Sequence, residues 1–216
     1  MVADMNRRNV LLLATWPALG LIACGKRKPV VAALPTGASV LALGDSLTAG
    51  YGAGAGEDWP ARLAGLTGWN VSNEGVNGDT TAGALARLGK LLAADHYDAI
   101  LIGIGGNDML RGGAAQATID NLSELVRQAK AHTTYVAVIA TPAPDALRAA
   151  TRSLSDAAFY EKVAANEKVL LVPGVYARVL SDASLRSDQI HANAKGYDAV
   201  ARQLADQFKA AGWLGG

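Results

Sequence analysis

From Ala38 onward the chain alternates short apolar runs with amphipathic stretches, and this alternation constrains the fold more than any other feature. The apolar runs are Ser39 to Leu43, Trp69 to Asn73, Ala99 to Ile104, Tyr135 to Ala140 and Val169 to Pro173. Ala99 to Ile104 is unbroken by any polar residue, the pattern of a strand buried on both faces. Between these runs lie stretches with helical spacing. Glu57 to Leu66 is the first, and Thr80 to Ala94 carries Leu85, Leu88, Leu91 and Leu92. Ile119, Leu122, Leu125, Val126 and Ala129 mark a third, Ser155 to Glu167 a fourth, and Tyr197, Val200, Leu204 and Phe208 a last. Strands that alternate with helices require right-handed crossovers and a parallel sheet covered on both sides. The expectation is one three-layer α/β/α domain over residues 37–216, with no internal repeat.

The residues ahead of that domain have a different character. Asn6-Arg7-Arg8 is a short positive region, and Val10 to Ala23 is apolar but broken by Pro17. The run is shorter than the roughly 20 apolar residues a membrane-spanning helix needs, and it matches the charged and apolar parts of an export signal. It ends in Leu21-Ile22-Ala23-Cys24, which resembles the bacterial lipobox, where the cysteine is lipidated and becomes the mature N-terminus. Residues 1–23 are therefore expected to be a lipoprotein-type signal peptide, with Met1 or Met5 as its start. Residues 24–36 would be a tether holding the protein to the periplasmic side of a bacterial membrane through Cys24. An uncleaved signal anchor with an incidental cysteine is the alternative. Cys24 is the only cysteine, so no internal disulfide can form.

Charge excludes one class of partner. The formal net charge is +1, the only basic run is Lys26-Arg27-Lys28, and there are two Phe, so nothing marks a nucleic-acid-binding face.

In sheets of this kind ligands bind beyond the carboxyl ends of the strands, near the topological switch point. Four unusual stretches fall there: Gly44-Asp45-Ser46-Leu47, Asn73 to Thr80, Gly103 to Asp108, and Asp188-Gln189-Ile190-His191-Ala192-Asn193. A serine hydroxyl becomes a good nucleophile only when a base takes its proton. His191 is the natural base for Ser46, and Asp188 can fix its tautomer and stabilise the imidazolium. Attack on an acyl carbonyl creates an oxyanion, for which the backbone N–H groups of Ser46 and Gly78 and the Asn107 amide are candidate donors. Taken singly, Gly-Asp-Ser and Gly-Asn-Asp are ordinary turns. Asp45 is read as bonding locally, and His96 and His132 as solvated residues without a role. No metal-ligand spacing surrounds Asp188 and His191, so neither a metal nor another cofactor is expected. The stretch Gly50 to Gly56 lacks the Gly-Lys-Ser/Thr ending of a phosphate loop and reads as a mobile loop shaping the site.

Together these blocks make the chain similar to the SGNH (GDSL) hydrolase superfamily, whose members carry Ser, Gly, Asn and His in four blocks in that order. Ser46, Gly78, Asn107 and the Asp188–His191 pair match them in turn. The resemblance implies a flavodoxin-like sheet of five parallel strands in the order 2-1-3-4-5, with Ser46, Asp188 and His191 catalytic. Ala192 departs from the proline many relatives carry after the histidine, which puts the rigidity of that loop in question. Gly105 to Gly112 most resembles the bacterial arylesterase, thioesterase and lysophospholipase branch, in which the following segment lines the acyl pocket. Met109 and Leu110 would do so here, with Pro142 in Thr141-Pro142-Ala143-Pro144 as a second rim. A monomeric, metal-independent serine esterase acting on small acyl esters, thioesters or lysophospholipids is the expectation. A carbohydrate or peptidoglycan O-acetylesterase is one alternative, and a non-catalytic envelope lipoprotein binding lipids or glycans is another.

Overall fold

Strand residues of this chain sort themselves by parity, and that sorting builds the two faces of the sheet. The computed structural model describes Met1 and residues 32–144 and 153–215, and the folded unit lies in Val31–Gly216. The signal peptide, Cys24 and most of the tether expected from the sequence lie outside the described residues.

Five strands form one parallel sheet in the order β2-β1-β3-β4-β5. They are β1 (Ser39–Gly44), β2 (Asn70–Gly75), β3 (Ala99–Gly103), β4 (Tyr135–Ile139) and β5 (Leu170–Val172). Val40, Ala42, Leu101, Ala137 and Ile139 point to one face, where they meet α2 (Trp59–Thr67), α7 (Val175–Ser181) and α8 (Ala194–Ala210). Leu41, Leu43, Ile100, Ile102, Val136 and Val138 point to the other, against α3 (Thr81–Ala94), α5 (Ala115–His132) and α6 (Phe159–Glu167). Side chains alternate across a strand, so a run of apolar residues serves both layers at once.

Several boundaries move for physical reasons. β2 starts after Trp69, which is buried, and runs on through Glu74 and Gly75, which pair with Leu43 and Gly44. It is an edge strand, half exposed, so polar residues do not prevent pairing. The helix expected from Ser155 starts at Phe159, because Asp156 forms an antiparallel bridge with Pro142 and Ala157 N–H donates to Thr141 O. Four elements escape periodicity altogether: α7, the one-turn helices α1 (Ser46–Ala49) and α4 (Gly106–Leu110), and a 3-10 turn at Ala183–Leu185. The last residues of the expected tether belong to the fold. Leu34 is buried, its N–H donates to Trp213 O at 2.9 Å, and Ala32 O accepts from the Tyr135 hydroxyl. His132 is not merely solvated, since its Nε2 accepts the Tyr97 N–H at 3.1 Å.

Candidate active site

At the end of β1 the backbone has no room for side chains. A Cβ on Gly44 would stand 2.1 Å from Thr48 Oγ1 and 2.6 Å from Gly103 O, so only glycine lets α1 fold back over the strand ends. Asp45 caps α1, its Oδ1 accepting the Leu47 N–H at 2.9 Å. This turn holds Ser46 at the first position of α1, directly beyond the carboxyl end of a central strand. Asp45 itself is almost fully buried, and burial pushes its carboxyl up to about 6 against the opposing pull of the Leu47 N–H and the His191 charge.

Gly78 and Asn107 come from the strands on either side of β1. Gly78 has φ +76°, a left-handed conformation that favours glycine, whereas a Cβ there would meet only Arg111 Nη2 at 3.4 Å. Backbone conformation, more than lack of space, is therefore what calls for glycine at this position. Three side chains hold this turn. Arg111 donates to Gly78 O at 2.7 Å, Arg87 pairs with Asp79 at 2.9 Å, and Asn107 Nδ2 donates to Asp79 O at 2.9 Å. The last bond uses one of the two Asn107 amide hydrogens and fixes the direction of the other. Neither the Ser46 nor the Gly78 N–H donates to another described residue.

α4, which carries Asn107, is tied down in its turn. Asp108 accepts Thr81 N–H at 3.0 Å and Thr81 Oγ1–H at 2.6 Å, joining α4 to the start of α3. On the other side Tyr160 donates its hydroxyl hydrogen to Ile104 O at 2.9 Å, so the 2.6 Å contact with Thr141 Oγ1 is donated by the threonine. Asp108, Arg111, Arg87 and Tyr160 went unseen in the sequence. Asp108 alone carried a signal, as the second residue of Asn-Asp, and it read as a turn.

The histidine arrives from the far end of the sheet, between α7 and α8. Asp188 Oδ1 accepts the N–H groups of Ile190 and His191 at 2.8 Å each, which folds the loop into a tight turn. Its Oδ2 lies 2.7 Å from His191 Nδ1, and His191 Nε2 lies 3.0 Å from Ser46 Oγ. A carboxylate only accepts, so Nδ1 carries the hydrogen and Nε2 offers its lone pair to the serine hydroxyl. Burial acts to raise the Asp188 pKa, but the bonds from the His191 ring and the two N–H groups outweigh it and hold the carboxyl below the usual range. Ala192 does not loosen the loop. It is fully buried and bridged to Arg186, while Ser187 N–H donates to His191 O and Asn193 N–H to Leu185 O. The loop of Gly50 to Gly56 lays Tyr51 over the imidazole with ring centroids 4.5 Å apart, and the Tyr197 hydroxyl bonds Tyr51 O at 2.8 Å.

Ser46, Asn107 and His191 open into one cleft of about 350 Å³ with a mainly apolar wall that includes Leu110, Pro142, Leu154, Leu180 and Ile190. Leu110 and Pro142 both line this cleft. Met109 is not among the residues lining the cleft; it packs against the core shared with α3 and α5. Neighbours on a helix point about 100° apart, so a one-turn helix that turns Leu110 to the cleft turns Met109 away from it.

A model of the GDSL-like lipase/acylhydrolase family matches residues 42–199, a span that includes all four loops. Esterase TesA of Pseudomonas aeruginosa is 34% identical over 145 residues, covering 62% of this chain and 69% of that protein. Thioesterase 1/protease 1/lysophospholipase L1 of Escherichia coli K12 is 32% identical over 176 residues, covering 79% of this chain and 83% of that protein. Among solved structures, the psychrotrophic esterase EstA from Pseudoalteromonas sp., inhibited by monoethylphosphonate, matches with a TM-score of 0.70 and 26% identity, over 80% of this chain and 97% of that one.

Proposed function

The chain belongs to the GDSL-like lipase/acylhydrolase family and is a carboxylic-ester hydrolase, and from that premise we propose that it works as a serine esterase through Ser46, His191 and Asp188. One observation carries this reading: a single imidazole bonds the serine hydroxyl at 3.0 Å on one side and a carboxylate at 2.7 Å on the other. His191 Nε2 takes the Ser46 proton as Oγ attacks the acyl carbonyl, and Asp188 stabilises the imidazolium that forms. The N–H groups of Ser46 and Gly78 and the second hydrogen of Asn107 Nδ2 donate to the oxyanion. His191 then passes its proton to the departing alcohol or thiol. Water, deprotonated by the same nitrogen, releases the acyl group from Ser46.

The apolar wall supports an acyl chain longer than acetyl, since an acetyl group would leave most of that surface in water. This favours acyl esters over the O-acetylesterase alternative. The name of the Escherichia coli relative supports extending the reading to thioesters and lysophospholipids. A fluorophosphonate bearing a neutral alkyl chain tests the nucleophile. One equivalent bound covalently at Ser46, located by peptide mass, is expected, whereas stoichiometric labelling of another residue or none would overturn the assignment.

The enzyme is further proposed to be exported and anchored by lipid at Cys24, because the apolar run before that cysteine ends in a lipobox-like stretch. Metabolic labelling with a fatty-acid analogue should mark the full chain in a bacterial host and fail in Cys24→Ala. Equal labelling of both would contradict the anchor.

A further inference from the structure

Arg186 stands apart from the other arginines of the described residues. Arg62, Arg87, Arg127 and Arg202 each meet a carboxylate, Arg111 bonds Gly78 O, and Arg178 bonds Gln203. Among the described residues the Arg186 guanidinium has no such partner, although the side chain is partly buried and lines the cleft beside Gln189, Ile190 and His191. The carboxylates nearest in sequence are engaged elsewhere. Asp182 accepts from Ser184 N–H and Oγ–H, and Asp188 serves the histidine. The backbone at Arg186 is fixed, because it bridges Ala192 and its carbonyl accepts from Asn193 Nδ2 at 3.2 Å. A cation left unpaired at the wall of an apolar cleft is a ready partner for a planar or tetrahedral anion, which a guanidinium grips with two parallel bonds.

The side of the substrate follows from the chemistry. The leaving atom must lie within reach of His191 Nε2 to receive its proton, while the oxyanion faces Ser46, Gly78 and Asn107. Groups borne by the histidine loop therefore border the leaving group. We infer that Arg186 is a specificity-determining residue that pairs with an anionic group, carboxylate or phosphate, on the leaving-group side of the ester. This inference rests on the serine-esterase reading above.

Two matched pairs of substrates test it. One is the octanoyl ester of 3-hydroxybenzoate against that of methyl 3-hydroxybenzoate, and the other is 1-octanoylglycerol 3-phosphate against 1-octanoylglycerol. Each pair differs at one anionic group, so the quantity to read is the ratio of kcat/KM for the anionic to the neutral ester. In Arg186→Ala that ratio should fall about tenfold, chiefly through KM, in line with one charge-assisted contact at a partly exposed site. Arg186→Glu should lower it further, and Arg186→Lys, which keeps the charge but not the paired bonds, should keep only part of it. In the unaltered enzyme, raising salt should lower the ratio without any substitution. A fall confined to one pair assigns the anion as carboxylate or as phosphate. A ratio that neither substitution nor salt moves, with the neutral esters still turned over, overturns the role of Arg186 alone. Failure of the unaltered enzyme on all four esters would overturn the esterase reading and this inference with it.

Discussion

Asp45 is adjacent to Ser46 in sequence, yet it is Asp188 that reaches His191. Its environment explains the division of labour. Buried to 2% exposure and spent on capping α1, Asp45 holds the serine turn, while Asp188, at the solvent side, bonds the imidazole. The cost shows in the Asp45 pKa, raised by burial from 3.8 to about 6. A carboxyl whose folded pKa lies above its unfolded value binds its proton more tightly in the native state, so this group's contribution falls as pH rises through that interval. Asp45→Asn keeps an oxygen for the Leu47 N–H and removes the titration. The stability of Asp45→Asn relative to the unaltered protein should therefore grow by about 2–3 kcal/mol between pH 4 and pH 8, measured by urea unfolding. A difference that stays flat with pH would contradict the buried ionisation.

At the scale of elements, what could be read from the sequence is what repeats. Leu122, Leu125, Val126 and Ala129 place α5, Val200, Leu204 and Phe208 place α8, and both stripes are fully buried as their spacing implies. Strands β1, β3 and β4 were legible for the same reason, as apolar runs serving two layers. One-turn helices carry no period, so α1 and α4 gave no helical signal even though they hold Ser46 and Asn107. Long-range supports were equally invisible. Gly105 has φ +122° and a Cβ there would stand 2.6 Å from the Tyr160 hydroxyl, so α6 presses on the turn that aims Asn107. Nothing local to Gly-Gly-Asn-Asp announces a tyrosine more than fifty residues later. The catalytic candidates were legible because four blocks, each an ordinary turn by itself, fall in order at the strand ends with a serine, a histidine and an acid among them, whereas Arg87, Arg111 and Asp108 look like ordinary surface charges until the loops meet.

The whole molecule makes those loops meet through sheet order and register. With β1 between β2 and β3, Gly44 pairs with Gly75 on one side and Gly103 on the other. The three chains thus leave the sheet at one level, and Ser46, Gly78 and Asn107 follow within a few residues. His191 closes the site from beyond β5, on a loop that its own hydrogen bonds keep stiff. The central claim is that Ser46 and His191 act as one unit. Groups that act as a unit lose nearly everything when either is removed, and removing both costs little more. The direct measurement is kcat/KM on a p-nitrophenyl octanoate for Ser46→Ala, His191→Ala and the double variant. The account predicts losses of at least ~10⁴ for each single variant and about the same loss for the double. Losses that multiply in the double variant, or a Ser46→Ala enzyme with activity intact, would contradict it.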